Sequence, residues 1–162
     1  MFSATDEALV TVAPSVAFAY LADPRNAGAW FTGAGFASAP AGQPQSGQTW
    51  AFERTTGTRA VQPVRMEVYS PPSRFVWRTT RPPLWTGFEW TMACEPVEGK
   101  LSSTTLRFTI RLRPGLVQWP LSLLGYRLVR RALQRQATTV VNRAAAAILS
   151  RPGPGKRRSP VR

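Results

Sequence analysis

The sequence offers few residues that could perform acid–base or nucleophilic chemistry. It contains no histidine and a single cysteine, Cys94. These counts exclude catalysis by Ser–His or Cys–His pairs, histidine-based metal sites and metal sites built from several thiolates. The sequence also lacks a glycine-rich phosphate-binding loop. We therefore expect neither a metal ion nor a nucleotide cofactor.

Arg54 is the polar residue of most chemical interest. It is in phase with Trp50 and Phe52 on a predicted strand, so its guanidinium would point toward the interior. A buried guanidinium requires a carboxylate partner or an anionic ligand. Glu67 and Glu89 are possible partners, although both are out of phase with the inner faces of their strands. The alternative is that the strand ends at Arg54 and the side chain is solvated.

A long helix near the end of the chain is the element that the others must accommodate. Its apolar side chains recur at steps of three and four, which predicts one buried face: Tyr126, Val129, Leu133, Ala137, Val140, Ala144 and Ile148. Pro120 fits the first helical turn and 151–153 (RPG) predicts the end. A continuous helix over 118–150 would be roughly 50 Å long.

Most of the preceding chain has the period-two alternation of strands. The predicted strands are a short one near Phe36 and 7–13, 49–55, 61–69, 74–80, 87–95 and 104–113. In 61–69 we expect Val64, Met66 and Val68 to face the same way. Two short helices are predicted after the first strand, because Pro14 can open one and Asp23 can cap the next.

This order of elements resembles the helix-grip, START-like (SRPBCC) superfamily, which includes Bet v 1-type carriers and polyketide cyclase/dehydrase and lipid transport-like domains. Three phrases are similar to that family: 12–26 (VAPSVAFAYLADPRN), the turn at 47–49 and 69–78 (YSPPSRFVWR). The resemblance implies an α+β fold in which a curved antiparallel sheet of about seven strands wraps around the C-terminal helix. It covers residues 7–150, so we expect one domain over 1–150 and a disordered basic tail over 151–162.

A sheet curved around a helix can enclose an apolar cavity, which is the usual form of a small-ligand site. If the in-phase faces point inward, the predicted ligand-binding lining comprises Phe52, Arg54, Met66, Trp77, Phe88, Trp90, Met92, Phe108, Ile110, Tyr126, Val129 and Leu133. The alternative is that these side chains simply fill a core.

The family resemblance implies more than one function, because its members include carriers, ligand sensors and enzymes. We expect binding or transport of a hydrophobic small molecule, either a lipid or a polyketide-like compound. The alternative is a cyclase or dehydratase without cofactor. Polyketide cyclases of this family use arginine, tyrosine and water, which here implies Arg54 and Tyr126.

The charge of the chain is concentrated at its C-terminal end. The net charge is +13, yet all eight carboxylates lie before residue 99, and fourteen Lys or Arg residues follow it. One tryptophan and several basic groups suggest a peripheral contact with an anionic membrane: Trp119, Arg127, Arg130, Arg131 and the basic tail. The alternative is that the apolar residues near 116–124 close one end of the cavity. No specific nucleic-acid module is present.

We expect a cytoplasmic protein. The N-terminus has acidic residues where a signal peptide would be basic. No apolar run approaches the ~20 residues of a membrane-spanning helix.

Overall fold

The structure, a computed structural model, describes residues 1–31, 42–54, 61–80, 87–115 and 125–150, with the backbone alone for 34–38 and Arg54. In chain order its elements are β1 (Phe2–Val10), α1 (Pro14–Leu21), a 3₁₀ turn (Pro24–Asn26), α2 (Ala27–Trp30), β2 (Ala34–Ser38), β3 (Thr49–Arg54), β4 (Val61–Ser70), β5 (Arg74–Thr79), β6 (Gly87–Val97), β7 (Lys100–Arg113) and α3 (Tyr126–Leu149).

Within the described residues, seven strands form one antiparallel sheet in the order β1-β7-β6-β5-β4-β3-β2. Consecutive strands from β2 to β7 are neighbours, and β1 closes the far edge against β7. The helices cover one face of this sheet. The predicted α+β helix-grip fold is confirmed, with an open sheet and a long C-terminal helix.

The two short helices begin where local chemistry places them. Pro14 occupies the first turn of α1, where its missing N–H leaves no partner unsatisfied. An oxygen of the Asp23 carboxylate accepts the backbone N–H of Arg25 at 2.9 Å, which caps the next turn. The Asn26 side chain donates to the carbonyl of Tyr20 at 3.0 Å, and this bond ties the turn back to α1.

The inner face of the sheet follows the predicted alternation in β7. Leu106, Phe108 and Ile110 are buried, whereas Arg107 and Arg111 lie on the outer face in ion pairs. A sheet with one covered face produces this pattern because successive side chains point to opposite sides.

The alternation predicted for β4 is wrong at Val68. The pairing between β4 and β5 shifts between Met66 and Val68, which marks a β-bulge at Glu67. An extra residue in one strand reverses the faces that follow it. Val68 therefore lies with Glu67 on the outer face, and Tyr69 turns inward to contact the ring of Phe18, with centroids 5.4 Å apart.

The first strand and the long helix differ in extent from the prediction. β1 runs over Phe2–Val10, not 7–13, because its whole length pairs with β7 from Phe2↔Leu112 to Val10↔Thr104. The helix does not run continuously from 118, because Gly125 is its N-cap and α3 starts at Tyr126. Residues 116–124, which include Trp119, and the predicted tail over 151–162 lie outside the described residues.

α3 packs against β1, β7 and α2. Its buried side chains follow helical spacing: Leu133, Ala137, Val140, Val141, Ala144 and Ile148. Polar contacts at the edge of this buried face join the helix to β1, since Gln134 donates to the carbonyl of Thr5 at 3.1 Å and Thr138 donates to Asp6. None of the helices that the structure describes has the length and apolar composition of a membrane span.

Candidate functional site

The structure gathers most of the predicted ligand-binding residues in one interior. Phe88 and Val129 are half-buried, and the buried members are Phe52, Met66, Trp77, Trp90, Met92, Phe108, Ile110 and Leu133. Of Arg54, the structure describes the backbone alone. Tyr126 does not face the interior: it is 47% exposed, and its ring lies 5.5 Å from that of Phe2. The ligand-binding role of these residues stays a prediction.

Phe31 lies at the centre of a group of interior rings, and it was not among the predicted residues. It directly follows α2, and its ring centroid lies 5.2 Å from Trp90 and 5.6 Å from both Trp30 and Phe52. We call nine of the rings connected in this way the aromatic cluster: Trp30, Phe31, Trp50, Phe52, Phe75, Trp77, Phe88, Trp90 and Phe108. Phe18 and Tyr69 continue the ring contacts from Phe75.

Trp77 joins the two sides of the aromatic cluster. Its ring stacks on Trp30 at 5.5 Å and meets Phe52 at 5.7 Å and Phe75 at 5.1 Å. α2 therefore supplies one layer of rings and the inner face of β3, β5 and β6 supplies the other. Ring pairs at these separations stabilise one another beyond the burial of their apolar area.

Three polar donors in this interior lack an acceptor among the described residues. They are the indole N–H groups of Trp30 and Trp90 and the side-chain amide of Gln62. Gln62 lies directly opposite Phe52 in the β3–β4 register, and Phe52 contacts Trp90 at 6.0 Å. A buried donor without an acceptor costs about 1–3 kcal/mol, so native structures rarely retain one.

Sequence reasoning missed Trp30 and Gln62 as site residues, although both carried a signal. Gln62 is in phase with Val64 and Met66, which predicts an inward polar side chain on an otherwise apolar strand. Trp30 follows the Asp23 cap at helical spacing. The ring contacts of Phe31 had no equivalent signal, because they depend on how α2 packs against the sheet.

The aromatic cluster extends to one end of the sheet. Phe88 stacks on Trp90 with the rings 5.8 Å apart and nearly parallel. Phe88 also lies opposite Leu112, which lies opposite Phe2, and Phe2 contacts Tyr126. A continuous row of apolar side chains thus runs from the buried rings to the exposed start of α3.

Both carboxylates expected as possible partners of Arg54, Glu67 and Glu89, contact other arginines on the outer face of the sheet. Glu89 lies on the outer face of β6, is 5% exposed and accepts hydrogen bonds from Arg78 at 2.6 Å and Arg111 at 2.9 Å. Arg113 is a further 3.5 Å contact, and Glu67 lies 3.7 Å from Arg78. Burial by itself would raise the pKa of Glu89, but the hydrogen bonds and charges of Arg78 and Arg111 outweigh it, so the pKa is lowered.

The described interior provides little for acid–base chemistry. Glu89 is the one buried carboxylate of the described residues, and it faces away from the aromatic cluster. Cys94 is on the inner face, and burial raises the pKa of its thiol to about 12, which keeps it protonated and unreactive at neutral pH. In the parts of the chain that the structure describes, no three His, Cys, Asp or Glu side chains are grouped closely enough to hold a metal ion.

Comparisons with known proteins agree with this architecture. The family model described as polyketide cyclase/dehydrase and lipid transport matches residues 1–146. A search of the curated proteins gave no match.

Solved structures share the fold at low sequence identity. A conserved protein from Geobacillus kaustophilus is 11% identical with a TM-score of 0.66, over 91% of this chain and 95% of that one. A protein from Arthrobacter aurescens is 15% identical with a TM-score of 0.66, over 99% and 93%. The di-domain ARO/CYC BexL from the BE-7585A biosynthetic pathway is 18% identical with a TM-score of 0.63, over 93% of this chain and 51% of BexL.

Proposed function

The chain belongs to the polyketide cyclase/dehydrase and lipid transport family, and from this premise we propose that it binds an apolar small molecule that carries hydrogen-bond acceptors. The observation that carries the proposal is the pair of buried indole N–H groups of Trp30 and Trp90 without an acceptor among the described residues. They are donors only, so the complementary ligand group is an acceptor such as a carbonyl or ether oxygen.

The side chains around these donors indicate the chemistry of the rest of the ligand. Trp30 is fully buried and Trp90 is 8% exposed, and their ring neighbours are other aromatic side chains. Flat, apolar molecules complement such rings because stacked and edge-to-face contacts are favourable. An oxygenated polycyclic compound satisfies both the rings and the donors, and a plain hydrocarbon satisfies only the rings.

Binding is favoured over acid–base catalysis by the described side chains. Glu89 is held on the outer face by Arg78 and Arg111, and the Cys94 thiol has a raised pKa. Neither group is available to move protons at the aromatic cluster.

The test compares two probes with the same ring skeleton, anthraquinone and anthracene, by titration monitored through tryptophan fluorescence. We expect the wild type to bind anthraquinone more tightly, because its carbonyl oxygens accept from the indoles. Trp90→Phe and Trp30→Phe, which remove an N–H and keep a ring, should each lower anthraquinone affinity about 5- to 10-fold, since one hydrogen bond contributes about 1 kcal/mol or slightly more.

Two controls make this result specific to the hydrogen bond. Anthracene affinity should change far less in the same variants, and their melting temperatures identify any that simply unfold. A wild type that binds neither probe, or a preference for anthraquinone that persists in both variants, would overturn the proposal.

A second candidate function is cyclase or dehydratase catalysis, which is supported by the family description and by the ARO/CYC designation of BexL. Incubation with a linear poly-β-ketone, followed by mass spectrometry of the products, tests it. A catalyst converts the ketone, and Arg54→Ala abolishes turnover while binding remains. A carrier returns the ketone unchanged, and the same substitution alters its affinity only modestly.

A further inference from the structure

The first two turns of α3 carry an exposed basic surface. Arg127, Arg130 and Arg131 recur at spacings of three and four, so they lie along one side of the helix. With Tyr126 and Gln134 they line a surface depression of about 470 Å³. Leu128 borders this row and is 71% exposed. We call Arg127, Leu128, Arg130 and Arg131 the basic face.

The arginines of the basic face differ from those on the outer face of the sheet. Arg78, Arg107 and Arg111 each contact a carboxylate within 3.0 Å. In contrast, none of the three basic-face arginines forms an ion pair with a described residue, and no Asp or Glu follows Glu98 in the chain. The charged groups of the described residues therefore leave this surface uncompensated.

Internal stability does not account for this arrangement. Arg127 and Arg131 are like charges four residues apart, which disfavours a helix. All three also lie near a helix N-terminus, where the helix dipole favours anions rather than cations. The positive end of the helix and the guanidinium groups therefore act together on any external anion.

We propose that the basic face docks the protein on the surface of a membrane containing anionic phospholipids. Guanidinium groups attract lipid phosphates, and an exposed leucine beside them can insert among acyl chains, which is the combination that interfacial helices use. A protein partner would need a complementary acidic patch, whereas an anionic bilayer supplies phosphates for the arginines and an apolar interior for Leu128 together. Nucleic-acid backbones would satisfy the arginines but provide no place for Leu128.

The position of the basic face determines which end of the sheet would approach the membrane. Tyr126 adjoins the basic face and contacts Phe2, at the end of the sheet that the aromatic cluster reaches through Phe88. Docking would bring this end close to the bilayer, where apolar molecules reside. The docking proposal stands on the charges and exposure of α3 and does not depend on ligand binding.

The test is sedimentation of the full chain with phosphatidylcholine vesicles, with and without phosphatidylglycerol. We expect binding only to the anionic vesicles. Neutralising the face in a triple variant, Arg127→Gln, Arg130→Gln and Arg131→Gln, should lower the partition coefficient roughly 100-fold, from about 1 kcal/mol per basic residue near an anionic surface. Leu128→Ala should lower it several-fold at unchanged charge.

A matched triple variant distinguishes a defined face from diffuse positive charge. Arg65 and Arg74 lie on the sheet and Arg143 lies in the C-terminal half of α3, and all three are exposed. None of them forms an ion pair with a described residue. Changing these three to Gln removes the same charge and should weaken binding far less.

Three outcomes would overturn the proposal. The first is no binding of the wild type to anionic vesicles, and the second is an equal loss in both triple variants. The third is tight binding to duplex DNA that requires the basic-face arginines, without binding to vesicles, which would assign the face to nucleic acid. Melting curves of every variant exclude loss of folding, and anthraquinone titration without vesicles reports the proposed ligand site separately.

Discussion

At the scale of single residues, Glu89 shows how position in the sheet can change the chemistry of an ordinary strand residue. It alternates with Phe88 and Trp90, so the sequence predicts an outward side chain. An outward glutamate is normally solvated, yet Glu89 is only 5% exposed. The side chains of Arg78 and Arg111, which lie opposite it on the two neighbouring strands, cover it. The carboxylate holds three strands together across the outer face.

Replacing Glu89 should therefore cost stability in a pH-dependent way. We expect Glu89→Gln to lower the free energy of unfolding by about 1–3 kcal/mol at neutral pH, since the amide NH2 cannot accept from one arginine and the remaining hydrogen bond loses the negative charge of its acceptor. Glu95→Gln, at a carboxylate whose side chain is 45% exposed, should cost less than about 1 kcal/mol. Urea unfolding measures both.

The lowered pKa of Glu89 sets the sign of the pH effect. The folded state favours the ionised carboxylate, so its stabilising effect is complete above the ordinary glutamate pKa and is lost as the pH falls through the lowered value. The stability difference between the wild type and Glu89→Gln should shrink on acidification. A difference that stays constant to strongly acidic pH would contradict this account.

At the scale of elements, α3 is positioned by small side chains as much as by large ones. Ala137 and Ala144 are completely buried on the face that packs toward the sheet and α2. Small residues allow the helix backbone to approach α2 closely, and α2 carries Trp30 of the aromatic cluster. The packing of the helix is thus linked to the aromatic cluster through α2.

Enlarging a buried alanine tests this packing. Ala137→Leu should lower the free energy of unfolding by about 1–3 kcal/mol, because the added atoms have no space. Ala132→Leu, at an exposed position of the same helix, should change it by no more than about 0.5 kcal/mol. Equal effects in urea unfolding would show that α3 is not closely packed at Ala137.

At the scale of the whole molecule, the fold neutralises part of an uneven charge distribution. Arg107 and Arg111 come from the basic C-terminal part of the chain, and they pair with Glu7, Glu89 and Glu95 from the part before residue 99. The antiparallel arrangement of β1, β6 and β7 brings these groups together. The arginines of α3 form no such ion pair with a described residue.

The domain boundary at residue 150 is a further prediction at this scale. The backbone N–H of Ser150 donates to Ala146 at 2.9 Å and its hydroxyl to Ala147 at 3.0 Å, which closes the helix. A chain that ends at residue 151 should keep the melting temperature of the full chain. Ile148→Ala, a control within the helix at a buried position, should cost about 2–4 kcal/mol. A truncated chain that melts well below the full one would place residues 152–162 within the domain.

The fold class, the order of elements and most of the inward faces could be predicted from the sequence alone. Those features follow from local patterns: period-two alternation in β7, proline at the start of α1 and the Asp23 cap each depend on a few neighbouring residues. The concentration of positive charge after residue 98 is likewise a property of the sequence, because it requires only the order of the residues.

Features that depend on register and packing emerged only in the folded chain. The bulge at Glu67 turned Val68 outward and Tyr69 inward, because one extra residue in β4 changes every face after it. The central position of Phe31 depends on how α2 packs against the sheet, and the burial of Glu89 depends on which arginines lie opposite it in adjacent strands. Local periodicity contains no information on any of these distances between separate elements.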